Sequence, residues 1–406
     1  MAIETPHIPE LELAPLPYHV EVRDYLKANE RETWNWFASA QAQADYTENL
    51  RLDLLKSTYR LDAEGHPDLY KCVEEAKAKL KLEIPVTVYQ AQNNGHTNAT
   101  LYYIPGEGHI VFCGNALTLL NPEELKSVIG HELAHYYLWR RDGGELLVAD
   151  RLLDAIANDP RSARCHEQTA RRFQLYTEIF ADRGSLCVTG DINPVVAGLV
   201  KIGTGLAHVS AASYLKQAEE IFANRSISTE GVSHPETFIR ARSLSLWADK
   251  SEKATAQIAK MIEGASGLDD VDLVGQAKLC ATTRRVLENF LSPKWFQTSS
   301  VIGHARLFFD DFRPAETSDA SVYTNLDLTD SKLREYFSYL LLDFATIDRD
   351  LDEMPLVAAL ELCRKLEIDA EFEKLAAREL KMKVRDVRKL KEQASELLAR
   401  AEASNA

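Results

Sequence analysis

In the stretch Val128–Trp139, "VIGHELAHYYLW", His131 and His135 stand four positions apart, and Glu132 follows the first of them. On an α-helix, positions i and i+4 lie about 40° apart around the axis, so both imidazoles point to one side and can grip a single ion. Two ligands are not enough. A hydrolytic metal site usually takes a third protein ligand and leaves its fourth position to water. Glu132 would sit beside the ion, where a carboxylate can take a proton from that water. The plain alternative is an amphipathic helix carrying two partly exposed histidines.

Downstream, "QLYTEIFADRGSL" sets Glu178 and Asp182 four apart, again on one helical face. One carboxylate can bind the ion while the other accepts the free ring N–H of a histidine and so fixes its orientation. Alone, this pair would read as a solvated face. In "SHPETFIRARSL", the proline after His234 makes a rigid turn that places an imidazole, and Arg240, further along, could face an oxyanion.

Local signals predict the elements that position these groups. Asn121 suits an N-cap, Pro122 the first helical position, and Glu124 can complete a capping box, so a helix starts before the histidines and carries them in its interior. Leu125, Val128, Ile129, Leu133 and Tyr137 supply its apolar face, and Gly143-Gly144 offers a stop. A second long helix is expected from about His166 to Cys187. Residues 20–82 read as helical. "IPVTVYQAQ", "TNATLYYI" and "HIVFCG" then read as a small antiparallel sheet with a hairpin at residues 105–108. His96 and His109, which flank the hairpin, are expected at the surface. An extended substrate would pair its main chain with the exposed edge around residues 97–101.

In this order, "HELAH", "EIFADRGSL" and "SHPETFIRARSL" resemble the HtpX-like and CAAX-prenyl-protease family of zinc metallopeptidases, over about residues 80–250. "GHTNATLYYIPGEGHIVFCGNALTLLNPEEL" is similar to that family's approach to its zinc helix, with Asn98 and Ala99 opening the active-site strand. The resemblance implies a zincin-like fold and one Zn²⁺ per chain, held by His131, His135 and Glu178. It also implies Glu132 as general base and Asp182 as the buttress of a ligand, first of all His131. His234 and Arg240 would stabilise the charged tetrahedral species or position substrate, although His234 could instead ligate the metal in a latent state. The family's membrane members carry spanning helices. This sequence shows none, so the resemblance implies a soluble member acting on peptides or unfolded proteins. Residues 140–165 are longer than a minimal family link and are expected to cover or shape the cleft.

A chain of 406 residues exceeds the ~250–300 at which single cores stop growing, so two domains are expected. The predicted fold class is α+β: a metallopeptidase domain over residues 1–250, with a helical N-terminal segment, followed by an all-α bundle over 251–406. The net charge of −15 argues against nucleic acid or an anionic membrane as partner. No apolar run reaches the ~20 residues of a membrane span, and the first residues do not read as a secretory signal, so the expected location is the cytoplasm. The six cysteines, without a C-x-x-C pair, are expected to be reduced and mostly buried.

The C-terminal stretch "YFSYLLLDFATIDRDLDEMPLVAALELCRKLEIDAEFEKLAARELKMK" faintly resembles the helical TerB-type tellurite-resistance domain. Its acids at Asp343, Asp348, Asp350, Asp352 and Glu353 could bind a divalent cation or simply solvate a helix turn. A last helix over about 369–403 would pack on the bundle, a partner helix or a second copy. Two functional readings follow. One is a zinc peptidase with an appended helical module. The other is a stress-associated adaptor whose zinc site is structural or latent, and Glu132 argues against it because a structural site needs no base.

Overall fold

A computed structural model describes residues 13–92, 96–224, 227–231, 233–264, 268–317, 319–324, 326 and 328–404. The chain divides into two compact units: residues 1–264 with 272–274, and residues 265–271 with 275–406.

The first unit holds α1 (Pro17–Asn29), α2 (Arg31–Phe37), α3 (Ala40–Ser57), β1 (Thr58–Leu61), α4 (Pro67–Lys79), β2 (Val86–Ala91), β3 (Asn98–Ile104) and β4 (Glu107–Cys113). There follow α5 (Ala116–Leu119), α6 (Pro122–Arg140), α7 (Glu145–Ala157), α8 (Arg164–Thr189), α9 (Ile192–Thr204), α10 (Ala211–Asn224), α11 (Thr237–Ala248) and α12 (Ala254–Glu263).

α6 begins as its sequence dictates. The Asn121 side chain accepts from the Glu124 N–H at 3.0 Å, and the Glu124 carboxylate accepts from the Asn121 N–H at 2.8 Å. Lys201 of α9 donates to the same carboxylate at 2.8 Å, a buried pair that fixes this end of the helix. The helix ends at Arg140, where Asp142, Gly143 and Gly144 turn to positive φ.

The sheet has the order β1-β2-β4-β3, so β3 is an edge strand. It is mixed rather than antiparallel, because β2 pairs parallel with β4. The hairpin explains this: β3 pairs antiparallel with β4, and the returning β4 inserts between β3 and β2. Residues 58–61, expected to be helical, instead form β1 and pair with the far side of β2. Burial on both flanks also removes His109 from the surface. It lies on the central strand β4, 5 % exposed, with its Nδ1 3.1 Å from the Tyr89 hydroxyl, whereas His96 is exposed.

The boundary between units falls later than residue 250. Ile258, Met261 and Ile262 of α12 join the core of the first unit with Leu133, Ile179 and Phe180. Beyond α12, Asp272 accepts hydrogen bonds from the Tyr18 hydroxyl at 2.6 Å and from Arg172 at 2.8 Å. The Tyr176 hydroxyl bonds Glu263, and the Leu273 N–H donates to Thr169 Oγ1 at 2.9 Å.

The second unit is helical: α13 (Leu273–Phe290, its first residues in the first unit), α14 (Ser299–Phe308), α15 (Ser321–Thr324), α16 (Ser331–Thr346), α17 (Met354–Lys365), α18 (Asp369–Glu379) and α19 (Val384–Ser404). Phe296, Phe312, Phe337, Phe344 and Phe372 fill its core. The single helix expected over 369–403 is two, because Lys381 adopts φ 56° and the Met382 N–H turns back to the Ala377 carbonyl at 3.1 Å. Of the six cysteines, all free, only Cys72 and Cys363 are buried, fewer than expected. No described helix is long and apolar enough to cross a membrane.

Candidate metal centre

α6 and α8 run antiparallel in close contact. The Ser185 hydroxyl donates to the Ser127 carbonyl at 2.6 Å, and Gly130 leaves room for Val188. This proximity carries the α8 carboxylates to the two imidazoles of α6. His131 Nε2 lies 3.2 Å from His135 Nε2, and each lies 3.5 Å from an oxygen of Glu178. Ligands ~2.0–2.1 Å from a tetrahedral ion are about 3.4 Å apart, which is the spacing found. Among the described residues, these three form the group of His, Cys, Asp and Glu side chains that could hold a metal ion, with ligand atoms all within 4.8 Å of one another. The residues present therefore fit a metal.

Each of these three side chains is backed by protein. Asp182, fully buried, has Oδ1 3.1 Å from His131 Nδ1, so the ring can donate there and turn the bare lone pair of Nε2 towards the cluster. Arg240 from α11 grips the same carboxylate through two N–H groups, at 2.6 and 2.7 Å, and its Nη2 lies 3.5 Å from Glu178. His135 stacks on Trp139, with ring centroids 5.4 Å apart.

The charges follow from burial and these contacts. Burial disfavours charge on His131, but Asp182 and Glu178 outweigh it and push its pKa up to about 10. Burial acts against charge on Glu178 too, yet His131 and Arg240 hold it well below the usual carboxylate range. His135 goes the other way: burial and the neighbouring His131 outweigh the pull of Glu178 and push it down to about 3. Of the two acids only Glu178 faces the point shared by the two Nε2 atoms, while Asp182 faces the back of the His131 ring and Arg240.

Glu132 lies beside the cluster, 5 % exposed, and the Leu101 backbone of β3 hydrogen-bonds to it. Burial raises its pKa to about 7, with Glu178 adding to the rise and His131 opposing it. A cleft of about 370 Å³ opens over the cluster and is lined by Asn98, Ala99 and Leu101 of the edge strand. His234 stands at the rim, its side chain 56 % exposed, with Nε2 3.6 Å from Glu178. The structure thus brings together every site residue expected from the sequence. Arg240 faces Asp182 and Glu178 rather than an open oxyanion position.

Two neighbours carried no sequence signal. His19 of α1 is fully buried behind the centre. Its Nδ1 accepts from the Leu16 N–H at 3.2 Å, which leaves Nε2–H to donate to Thr177 Oγ1 at 3.2 Å, one residue before Glu178. Asp150 of α7 lines the cleft, the one contribution of the 140–165 segment to its wall among the described residues. Neither could be read locally, because each owes its place to a tertiary contact between distant helices.

Residues 63–157 match the sequence model of peptidase family M48. The match supports a metallopeptidase acting on peptides, and it spans α4 to α7 with His131, Glu132 and His135; Glu178 and Asp182 lie beyond its end. No curated protein and no solved structure matches the chain.

Proposed function

We propose that the chain is a zinc-dependent endopeptidase with Glu132 as its general base. The observation that carries the reading is the tetrahedral spacing of His131, His135 and Glu178 beside a buried carboxylate at a free strand edge. When bound there, the ion would polarise a carbonyl and make its water acidic. Glu132 takes a proton at its carboxylate and passes it to the leaving amine, and its burial suits a group that must hold that proton in between. Asp182 accepts from His131 Nδ1 and holds the ring's aim, while Arg240 compensates the buried charge of Asp182. His234, on the rim, is placed to hydrogen-bond a substrate oxygen. A peptide laid along β3 would meet Glu132 beside Leu101, in the middle of the strand, so that main chain extends both ways from the reacting bond. This supports internal cleavage.

The helical second unit is read as a TerB-like module that engages a partner or a second copy through α19. The free thiols suit a reducing compartment such as the cytoplasm. An adaptor with a structural metal would have no use for Glu132.

The test is to measure bound zinc and cleavage of a mixed peptide library by wild type and Glu132→Gln. The expected outcome is about one zinc per chain in both and a loss of roughly 10²–10⁴ in rate in the variant. Wild-type cleavage by Glu132→Gln, or none by the zinc-loaded protein, would sink the peptidase assignment.

A further inference from the structure

The cleft has two chemically different ends, one on each side of the metal cluster. Along α6, Val128 lies one turn before His131 and Trp139 one turn after His135, a separation of about 16 Å. The first end is closed by α9, which meets α6 through the Ser127 hydroxyl bonded to the Pro194 carbonyl at 3.3 Å. Val128, Val195, Leu199 and Ile202 line it. The second end lies where α7 packs on α8, and Trp139, Asp150, Gln174 and Thr177 line it.

Asp150 is the anomaly. It is only partly accessible, it faces the cleft, and among the described residues its carboxylate meets no hydrogen-bond or ion-pair partner. Of the charged groups on its own helix, Asp154 repels it, and the weaker pull of Arg151 does not offset burial, so its pKa rises to about 7. Its carboxylate is thus open to a cation that enters the cleft. Here the cleft itself offers the space where a cation would go, with Trp139 on its wall.

We propose that Asp150 and Trp139 form a subsite for a lysine or arginine side chain of the substrate, while the Val128–Ile202 end takes an aliphatic one. The bond cleaved then has a basic residue close on one side and an aliphatic residue on the other. This specificity rests on the peptidase reading above.

The experiment uses the zinc-loaded full chain, a mixed peptide library and mass-spectrometric mapping of cut sites, with Asp150→Asn and Asp150→Lys beside wild type. Wild type should favour Lys or Arg over norleucine at one position near the cut on the order of 10- to 100-fold. Asp150→Asn should bring that ratio close to one, and Asp150→Lys should turn it towards Glu. The ratio is internal to each protein, so partial loss of folding does not mimic the effect. No basic preference in wild type, or one that survives in Asp150→Asn, overturns the proposal. If the zinc-loaded wild type cuts nothing, the peptidase reading fails separately. The subsite is then judged by fluorescence anisotropy of the same peptides: Lys-dependent binding lost in Asp150→Asn sustains it, and equal binding rejects it.

Discussion

Gly184 of α8 faces Ala134 of α6 so closely that a Cβ on the glycine would lie 2.3 Å from the alanine Cβ. Only a missing side chain permits this approach, and Ala134 directly precedes His135. Gly184→Ala should therefore part the two helices, costing about 1–3 kcal/mol and weakening metal binding as Glu178 draws back from the imidazoles. Adding Ala134→Gly should restore much of both. Thermal melts and zinc titrations of the single and double variants check this, and a Gly184→Ala protein with wild-type zinc affinity would show that the ligands do not depend on this contact.

Asp182 and Arg240 are a buried pair in which neither charge tolerates loss of the other. Arg240→Met leaves the carboxylate uncompensated and should cost on the order of 3–5 kcal/mol, whereas the double variant with Asp182→Asn should be closer to wild type. Asp182→Asn alone should lower metal affinity roughly 10- to 100-fold by releasing the His131 ring. Competition with a chromophoric chelator measures this; unchanged affinity would remove Asp182 from the role given to it.

Binding of an ion by three groups from two helices should tie metal to folding. Zinc at about 1,000 times its Kd should add about 4 kcal/mol to stability, so chelation should lower the melting temperature and abolish cleavage, and zinc should restore both. His131→Ala should melt at a temperature insensitive to zinc. A shift of wild-type size in that variant would place the ion elsewhere.

Asp150 predicts a pH dependence with a definite sign. Its folded pKa of about 7 lies above the ordinary 3.8, so between these values the folded state holds a proton that the unfolded chain has released. Its contribution to stability therefore falls as pH rises from about 4 to 7 and is level above. Asp150→Asn lacks this dependence and should gain on wild type in melting temperature more at pH 8 than at pH 5. An equal gain at both values would mean that the carboxylate is fully solvated.

What the sequence revealed here was what neighbours along the chain determine. The capping box at Asn121 and Glu124 fixed the start of α6, and helical spacing put His131 beside His135 and Glu178 beside Asp182. Pairing across distance was not legible. Thr58–Leu61 follows α3 without punctuation and becomes a strand only because β2 is there to receive it. The parallel match of β2 with β4, and with it the burial of His109, depends on where the hairpin inserts. The charged composition after Lys250 suggested a new domain, yet Ala254, Ile258, Met261 and Ile262 of α12 return to the first core. His19 and Asp150 look ordinary in sequence because what distinguishes them is the helix opposite.

The knot of Tyr18, Arg172 and Asp272 decides where this protein can be cut. A fragment ending at residue 250, the point suggested by composition, would shed α12 and deprive Arg172 of α8 and Tyr18 of α1 of their shared carboxylate. One ending at residue 274 keeps both, and so sets the shortest C-terminal limit for a first unit able to stand by itself.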